Sequence, residues 1–233
     1  MPSSRPGCEA LSARIIALAL LLWGTLPFAA GPAPAPFHSR LENEVLAAIN
    51  RARTDPLAYA GDLRRLRESF RDRFSYVDDG VNYLTQEGVD AVDEAIAFLQ
   101  RVRAVPALAA SHGLALAARD LVLDQALRGG TGHAASDGSD PLRRLERYIR
   151  LTPAHFLTQA GRVAVGEVIA YGRDRARAIV AILIVDDGVP GRGHRQALFD
   201  PRFTHAGVAY GPHPLYGWAC VVDLAGAFQE KRR

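Results

Sequence analysis

The spacing of apolar residues changes once along this chain, and the change limits the folds it can adopt. Before residue 163 apolar side chains recur every three or four residues, the pattern of helices that bury one face. From residue 163 onward, β-branched residues in strand-like alternation dominate, apart from one helical run at 173–185. Helices followed by strands predict an α+β domain, with helices packed on a small antiparallel sheet.

Local patterns give the individual elements. Helices are predicted at 41–53, 57–70, 88–102, 114–127, 141–149 and 173–185. Strands are predicted at 163–172, 203–211 and 216–226, the last two joined by a proline-containing turn. The run Thr54-Asp55-Pro56 ends the first helix and caps the second, because proline suits the first helical position. Residues 71–87 are predicted to be irregular or weakly extended.

The N-terminus has the features of a targeting segment. An apolar run at 15–30 follows Arg5 and Arg14 and precedes small residues and prolines. The run is short for a membrane span, which needs about 20 apolar residues. Residues 1–35 are therefore predicted to be a secretory signal peptide with a Pro/Ala leader, and an uncleaved anchor is the alternative. Residues 36–233 are predicted to form a single domain, secreted or periplasmic.

Composition excludes some classes of function. The chain has 28 basic and 25 acidic residues, for a net charge of +3, and the two signs are interspersed. Without a basic stripe interleaved with aromatic residues, the sequence gives no support to nucleic-acid binding. No segment after the signal peptide is predicted to span a membrane. Cys220 would be the one cysteine left after cleavage, so the mature chain must be held together by its core.

Three residues in distant segments could carry chemistry. These are His133 in GGTGH, Glu167 in VAVGEVIAYG and His194 in PGRGHR. A carboxylate within an apolar strand is costly to bury unless it is paired or coordinated, so Glu167 is either a ligand, a general base or a solvent-facing residue. Each histidine could equally be an ordinary loop residue, and His205 and His213 have weaker cases. No HExxH, CxxC, Walker or GxSxG sequence is present.

Several segments, in order, resemble the CAP family (cysteine-rich secretory, antigen 5 and pathogenesis-related proteins, or SCP domain) in its secreted bacterial form. They are GH–SDGSDP–RLERY, GEVIAYG, RGHRQALFDPRFTHAGVAYG and CVVDLAG. The resemblance covers about residues 41–228 and includes NxxR at Asn50–Arg53 and TQEGVDAVDEAIAFL at 85–99. It implies an α–β–α sandwich, with helices on both faces of a small antiparallel sheet.

The resemblance also implies a cleft with two histidines and two acids that can bind a divalent cation, often zinc. Matched position by position, His133 and His194 correspond to the histidines and Glu167 to the first acid. Asp186 is the best placement for the second acid, with Asp187 close behind. The implied metal set is thus His133, Glu167, Asp186 and His194, with Asp187 as a further cleft residue.

Two departures from the family pattern are visible. Val168 stands where the family usually has asparagine after the acid, and the disulfides of eukaryotic members are missing. Imidazoles and carboxylates suit Zn²⁺, and no organic cofactor is implied.

Three functions are consistent with these residues. The first is a secreted binding module that holds a lipid, sterol or cell-envelope ligand, with or without metal. The second is a metal-dependent hydrolase of peptide or envelope polymer, with Glu167 or an aspartate as general base. The third is a structural role, in which the His/acid set pins helices to the sheet.

Overall fold

A mixed four-stranded sheet organises the chain. The computed structural model of the protein describes residues 39–151 and 164–231. The strand order is β3–β6–β7–β5, with bounds Ala109–Ala110, His205–His213, Gly217–Ala225 and Val165–Tyr171, respectively. β5 and β6 both run antiparallel to β7, and the short β3 joins β6 in parallel. The long strands therefore form the small antiparallel sheet predicted from the sequence.

Helices precede, interrupt and cover this sheet. In the described ranges they are α1 (Arg40–Thr54), α2 (Pro56–Glu68), α3 (Val89–Leu99), α4 (His112–Arg128), α5 (Pro141–Leu145), α6 (Ala176–Val185) and α7 (Gly193–Leu198). Two small antiparallel pairs are also present among the described residues. They are β1 (Ser75–Asp78) with β2 (Val81–Leu84), and β4 (Ile149–Arg150) with β8 (Gln229–Glu230).

Alternate residues of the strands are buried on opposite faces of the sheet. One set joins the core cluster that contains residues of α1 and α6: Val168, Val208 and Val222. An adjacent residue of each strand joins a second cluster with Leu121 and Val122 of α4: Ile169, Ala209 and Val221. This two-residue period places helices on both faces, which confirms the α–β–α sandwich.

Close packing of α4 on the sheet depends on Gly207 of β6. A Cβ atom at this position would overlap the backbone of Leu114 and Ala115 in α4. Only glycine allows so close an approach of helix and strand. Gly207 lies opposite Asp223 of β7, so α4 covers the sheet face that carries this acid.

The NxxR residues fasten α1 to two connecting segments. Asn50 exchanges two hydrogen bonds with the backbone of Leu108, at 2.9 Å and 2.7 Å. The fully buried Arg53 donates hydrogen bonds only to backbone carbonyls: those of Pro106, Leu198, Asp200 and Phe203. This motif therefore contributes to the architecture, because it satisfies backbone carbonyls of which those of Leu198 and Phe203 are buried.

Part of the segment 71–87, for which irregular or weakly extended structure was predicted, is extended, because β1 and β2 form a hairpin there. Asp79 and Gly80 both have positive φ angles, 51° and 77°, at the centre of its turn. Two positive φ angles in succession are typical of type I′ turns, for which Asp-Gly is a favoured sequence. The Asp79-Gly80 pair is a local signal for this turn. The alternation of apolar residues beside it is weak and is limited to Val81–Leu84.

Two other boundaries differ from the sequence prediction. α5 ends at Leu145, and Ile149–Arg150 leaves the predicted helix to pair with β8. α7 was not predicted, since its cap position is occupied by Arg192, whose side chain makes no capping bond.

In the part of the chain that the structure describes, no helix is long and apolar enough to cross a membrane. The predicted signal peptide and the domain boundary at 35/36 lie outside the described residues.

Candidate functional site

His133 and Glu167 meet although they come from different segments. The imidazole Nδ1 of His133 lies 2.8 Å from Oε1 of Glu167, on β5. The second oxygen, Oε2, accepts a 2.6 Å hydrogen bond from Nη2 of Arg144. The side chains of Glu167 and Arg144 are 1% and 0% exposed, whereas that of His133 is 50% exposed. Both carboxylate oxygens of Glu167 thus contact protein groups, and one of them orients the half-exposed imidazole of His133.

Arg144 also fixes the loop that carries His133. Its Nη1 donates to the backbone carbonyls of His133 and Ser139, at 2.9 Å and 2.8 Å. Arg144 lies on the short helix α5, which begins at the capping residue Asp140. Sequence reasoning did not select Arg144. The signal that could have found it is the need of a buried Glu167 for a cationic partner.

Asp223 is a second acid beside Glu167 that sequence reasoning missed. It lies directly opposite Glu167 in the β5–β7 register and is fully buried. Among the described residues, neither of its carboxyl oxygens has a hydrogen-bond partner of normal geometry. Burial, and secondly the charge of Glu167, raise the pKa of Asp223 well above its usual value, while Arg144 acts in the opposite direction. The protonated form of Asp223 is therefore favoured.

Replacing Asp223 with asparagine should stabilise the protein increasingly as the pH rises. A raised pKa in the folded state means that stability falls as the pH increases from the unfolded-state pKa of about 3.9 toward the folded value. Asparagine cannot ionise, so the variant should escape this loss. Thermal melts from about pH 4 to pH 8 would measure it.

The exposed Asp174 offers a control, since Asp174→Asn should leave the pH dependence unchanged. If Asp223→Asn shifts the melting temperature equally at every pH, the proposed protonation of Asp223 is wrong.

His194 is held by Asp186. Asp186 ends α6 in the left-handed conformation, with φ 56°, which aspartate tolerates better than most residues. Its Oδ1 lies 2.7 Å from Nδ1 of His194, and Oδ2 accepts from the backbone N–H groups of His194 (2.9 Å) and Arg195 (3.4 Å). Asp186 therefore supplies the N-terminal cap of α7 that Arg192 does not provide.

Asp187 has different partners from its neighbour. Its two oxygens accept hydrogen bonds from the backbone N–H groups of Gln86 and Glu87, at 2.7 Å and 2.8 Å. Arg192 reinforces this contact by pairing with Glu87 and Glu94, at 2.5 Å each. Asp187 thus ties the turn after α6 to the segment before α3, while it also lines the adjoining cavity.

The two predicted site histidines lie near each other. Their ring centroids are 6.5 Å apart, with the planes inclined at 50°. Each Nδ1 contacts a buried carboxylate, so each Nε2 is left without a hydrogen-bond partner among the described residues. A carboxylate at Nδ1 fixes the tautomer whose Nε2 lone pair is free, as in many metal-binding histidines.

The acids lie behind the imidazoles rather than beside them. Within residues 39–151 and 164–231, no group of three or more His, Cys, Asp and Glu side chains is arranged to hold a metal ion. Direct coordination by Glu167 and Asp186 stays a prediction, as does a general-base role for Glu167. The contacts that the structure does contain make both acids the partners of His133 and His194, respectively.

A mainly apolar cavity of about 240 Å³ adjoins His194. It lies between the β1–β2 hairpin, α2, α6 and the edge strand β5. Its apolar lining includes Leu66, Phe70, Val92, Ile169, Ile182 and Val189. Apolar lining with a few polar groups is typical of small-molecule sites.

The remaining strand histidines have structural partners. His213 is buried, its Nε2 lies 2.9 Å from the carbonyl oxygen of Gly130, and its Nδ1 accepts from the N–H groups of Leu215 and Tyr216. The ring of His205 packs edge-on against Phe228. Neither histidine lines the cavity beside His194.

The α–β–α sandwich is the fold that the sequence resemblance implied. The family model for CAP, the cysteine-rich secretory protein family, matches residues 46–222. This chain therefore belongs to the CAP family, as the sequence resemblance indicated.

Solved structures similar to this chain come from bacteria. An outer surface protein from Borrelia burgdorferi is 18% identical, with a TM-score of 0.39, over 52% of this chain and 79% of that one. An extracellular SCP-domain protein from Bacillus anthracis is 20% identical, with a TM-score of 0.40, over 57% of this chain and 37% of that one. A cysteine-rich secretory protein from Staphylococcus aureus is 11% identical, with a TM-score of 0.33, over 59% of this chain and 37% of that one. A comparison with curated proteins gives no match.

Proposed function

We propose that this protein is a secreted CAP-domain binding protein that holds an apolar, lipid-like or cell-envelope ligand next to a divalent-cation site. The observation that carries the proposal is the pair of imidazoles whose Nδ1 atoms are engaged by buried carboxylates. Neither Nε2 has a hydrogen-bond partner in the part of the chain that the structure describes, and His194 borders the apolar cavity. Secretion rests on the signal peptide predicted for residues 1–35 and on the secretory character of the family.

The donor set fits Zn²⁺. Imidazoles are ligands that suit Zn²⁺, and the ring centroids of His133 and His194 lie 6.5 Å apart. A bound ion would supply a Lewis-acidic centre with open positions for a ligand oxygen. His133 and His194 would hold it, while Glu167 and Asp186 orient the rings.

The use of the acids favours binding over hydrolysis. A general base must reach the proton that it removes. Both oxygens of Glu167 are occupied by His133 and Arg144, and the side chain of Asp186 is 1% exposed and caps α7. A metal-dependent hydrolase would need one of these contacts to break. A purely structural cluster, in turn, gives no reason for two uncommitted Nε2 atoms.

Zinc is expected to raise the melting temperature of the protein lacking its signal segment. A hundredfold excess of Zn²⁺ over its dissociation constant should stabilise the folded state by about 2.7 kcal/mol. The His133→Ala/His194→Ala double variant should lose this shift. His205→Ala, which removes an imidazole outside the site, should retain it.

Scanning calorimetry with and without Zn²⁺, together with equilibrium dialysis, measures the effect. An equal shift in the double variant would place any zinc site elsewhere in the chain.

A further inference from the structure

The charged side chains in the cavity wall differ in whether a protein partner balances them. Asp186, Asp187 and Arg173 line the cavity together with His194. Both aspartates are committed to backbone N–H groups, and Asp186 also to an imidazole. Arg173, by contrast, has no acidic side chain within ion-pair distance among the described residues. The cavity therefore presents one cation whose charge no carboxylate balances.

Neutral groups hold the Arg173 guanidinium in place. Its Nη1 donates to the carbonyl of Gly172 at 2.9 Å, and its Nη2 donates to the hydroxyl of Tyr76 at 2.8 Å. The guanidinium carbon lies 3.6 Å from the ring centroid of Tyr83. These contacts use one face of the guanidinium and two of its five N–H groups. The others are left for an external acceptor.

The neighbouring arginines show that this arrangement is particular to the cavity. Arg175 and Arg177 both pair with Asp78, at 3.1 Å and 3.0 Å, and neither lines the cavity. Compensated surface arginines are thus available two and four residues further along. An uncompensated, partly buried guanidinium with fixed orientation in a cavity wall is a favourable site for a planar anion.

We propose that Arg173 binds the carboxylate of a single-chain amphiphile whose hydrocarbon chain occupies the apolar cavity. The inference rests on the proposed binding function and names its ligand class. A carboxylate matches the guanidinium fork through two parallel hydrogen bonds. The rest of the lining offers mostly hydrocarbon contacts, so the group attached to the carboxylate must be apolar.

Leu84 gives independent support for an apolar occupant. It lines the cavity, yet 82% of the residue is exposed. An apolar side chain that borders a cavity with so little cover gains burial when a hydrocarbon chain lies against it. The hairpin strand that carries Leu84 also carries Tyr83, on which Arg173 stacks, so head-group and chain contacts lie on one element.

Paired ligands test the proposal. Dodecanoate and dodecanol, which differ in the head group, would be titrated by calorimetry into the protein lacking its signal segment. Wild type should bind the carboxylate at least about tenfold more tightly than the alcohol, as expected for a hydrogen bond to a charged group. In Arg173→Gln this preference should fall to about one, even if loosening of the hairpin weakens both ligands.

Controls separate charge from packing. Arg128→Gln removes the same charge from an exposed position outside the cavity and should leave the preference intact. Val189→Trp fills the cavity and should abolish binding of both ligands.

Three outcomes would overturn the inference. An unchanged carboxylate preference in Arg173→Gln removes the role of Arg173 and leaves the proposed binding function in place. Tighter binding of an apolar tripeptide with a free C-terminus than of dodecanoate replaces the amphiphile with a peptide. If wild type binds neither dodecanoate nor dodecanol, the apolar-ligand part of the proposed function fails as well, while the zinc melts still report on the two histidines.

Discussion

Replacing Arg144 with methionine is expected to lower the free energy of unfolding by about 3–5 kcal/mol. Arg144 is fully buried and is the cationic partner of Glu167, which has Asp223 as its neighbour across the strands. Without the guanidinium, Glu167 keeps its burial and its acidic neighbour but loses the charge that balances it. The carbonyls of His133 and Ser139 lose a donor as well.

A second substitution should restore part of the loss. In Arg144→Met/Glu167→Gln the unpaired charge is gone, so the double variant should be more stable than Arg144→Met alone. Urea denaturation of the single and double variants measures the coupling. Arg147→Met is the matched control, because Arg147 is 43% exposed and its pairs with Asp120 and Asp137 should be worth about 1 kcal/mol or less. If Arg144→Met and Arg147→Met lower the free energy of unfolding equally, the buried Arg144–Glu167 pair contributes no more than an exposed pair.

Arg53→Met should cost a similar amount, about 3–5 kcal/mol, for a different reason. No acidic side chain among the described residues pairs with Arg53, and its donors serve four backbone carbonyls in two connecting segments. A buried carbonyl that loses its donor costs about 1–3 kcal/mol, and several are affected together. The carbonyls of Leu198 and Phe203 flank the turn between α7 and β6, so this turn should loosen first.

Arg51 lies on the same helix and gives the comparison. Its side chain is 55% exposed and pairs with Asp62, so Arg51→Met should change the urea midpoint only slightly. Arg53→Lys should recover little of the stability, since a single ammonium group cannot reach carbonyls on several sides. Full recovery in Arg53→Lys would show that charge, and not the shape of the guanidinium, is what the site requires.

The sequence predicted the layers of the fold because burial on two faces imposes a regular spacing. Strand residues such as Val168 and Ile169 face opposite helical layers, and the β-branched pattern predicted both. Glu167 was found by the cost of placing a carboxylate in an apolar strand. The same cost applies to Asp223, which lies in the apolar strand sequence CVVDLAG. His133 and His194 acquired partners only through the family resemblance.

Other parts of the site depend on contacts that no local pattern encodes. Arg144 and Glu167 are 23 residues apart in sequence and lie on different elements, so they meet only in the folded chain. The start of α7 is stabilised by Asp186, which lies eight residues before His194 and outside the usual capping position. Arg173 becomes part of the cavity wall because a hairpin from the first half of the chain packs against it.

The backbone at Asp186 explains why an aspartate stands at this position. The left-handed conformation that ends α6 is adopted with little strain by glycine, asparagine and aspartate, and of these only aspartate has a carboxylate. Its short side chain reaches the first amides of α7 and the His194 ring from that point. The choice of acid here is therefore set by the direction in which the chain leaves a helix. The turn that ends α6 therefore also sets the orientation of the His194 imidazole. A substitution that changes the backbone at Asp186 would change both.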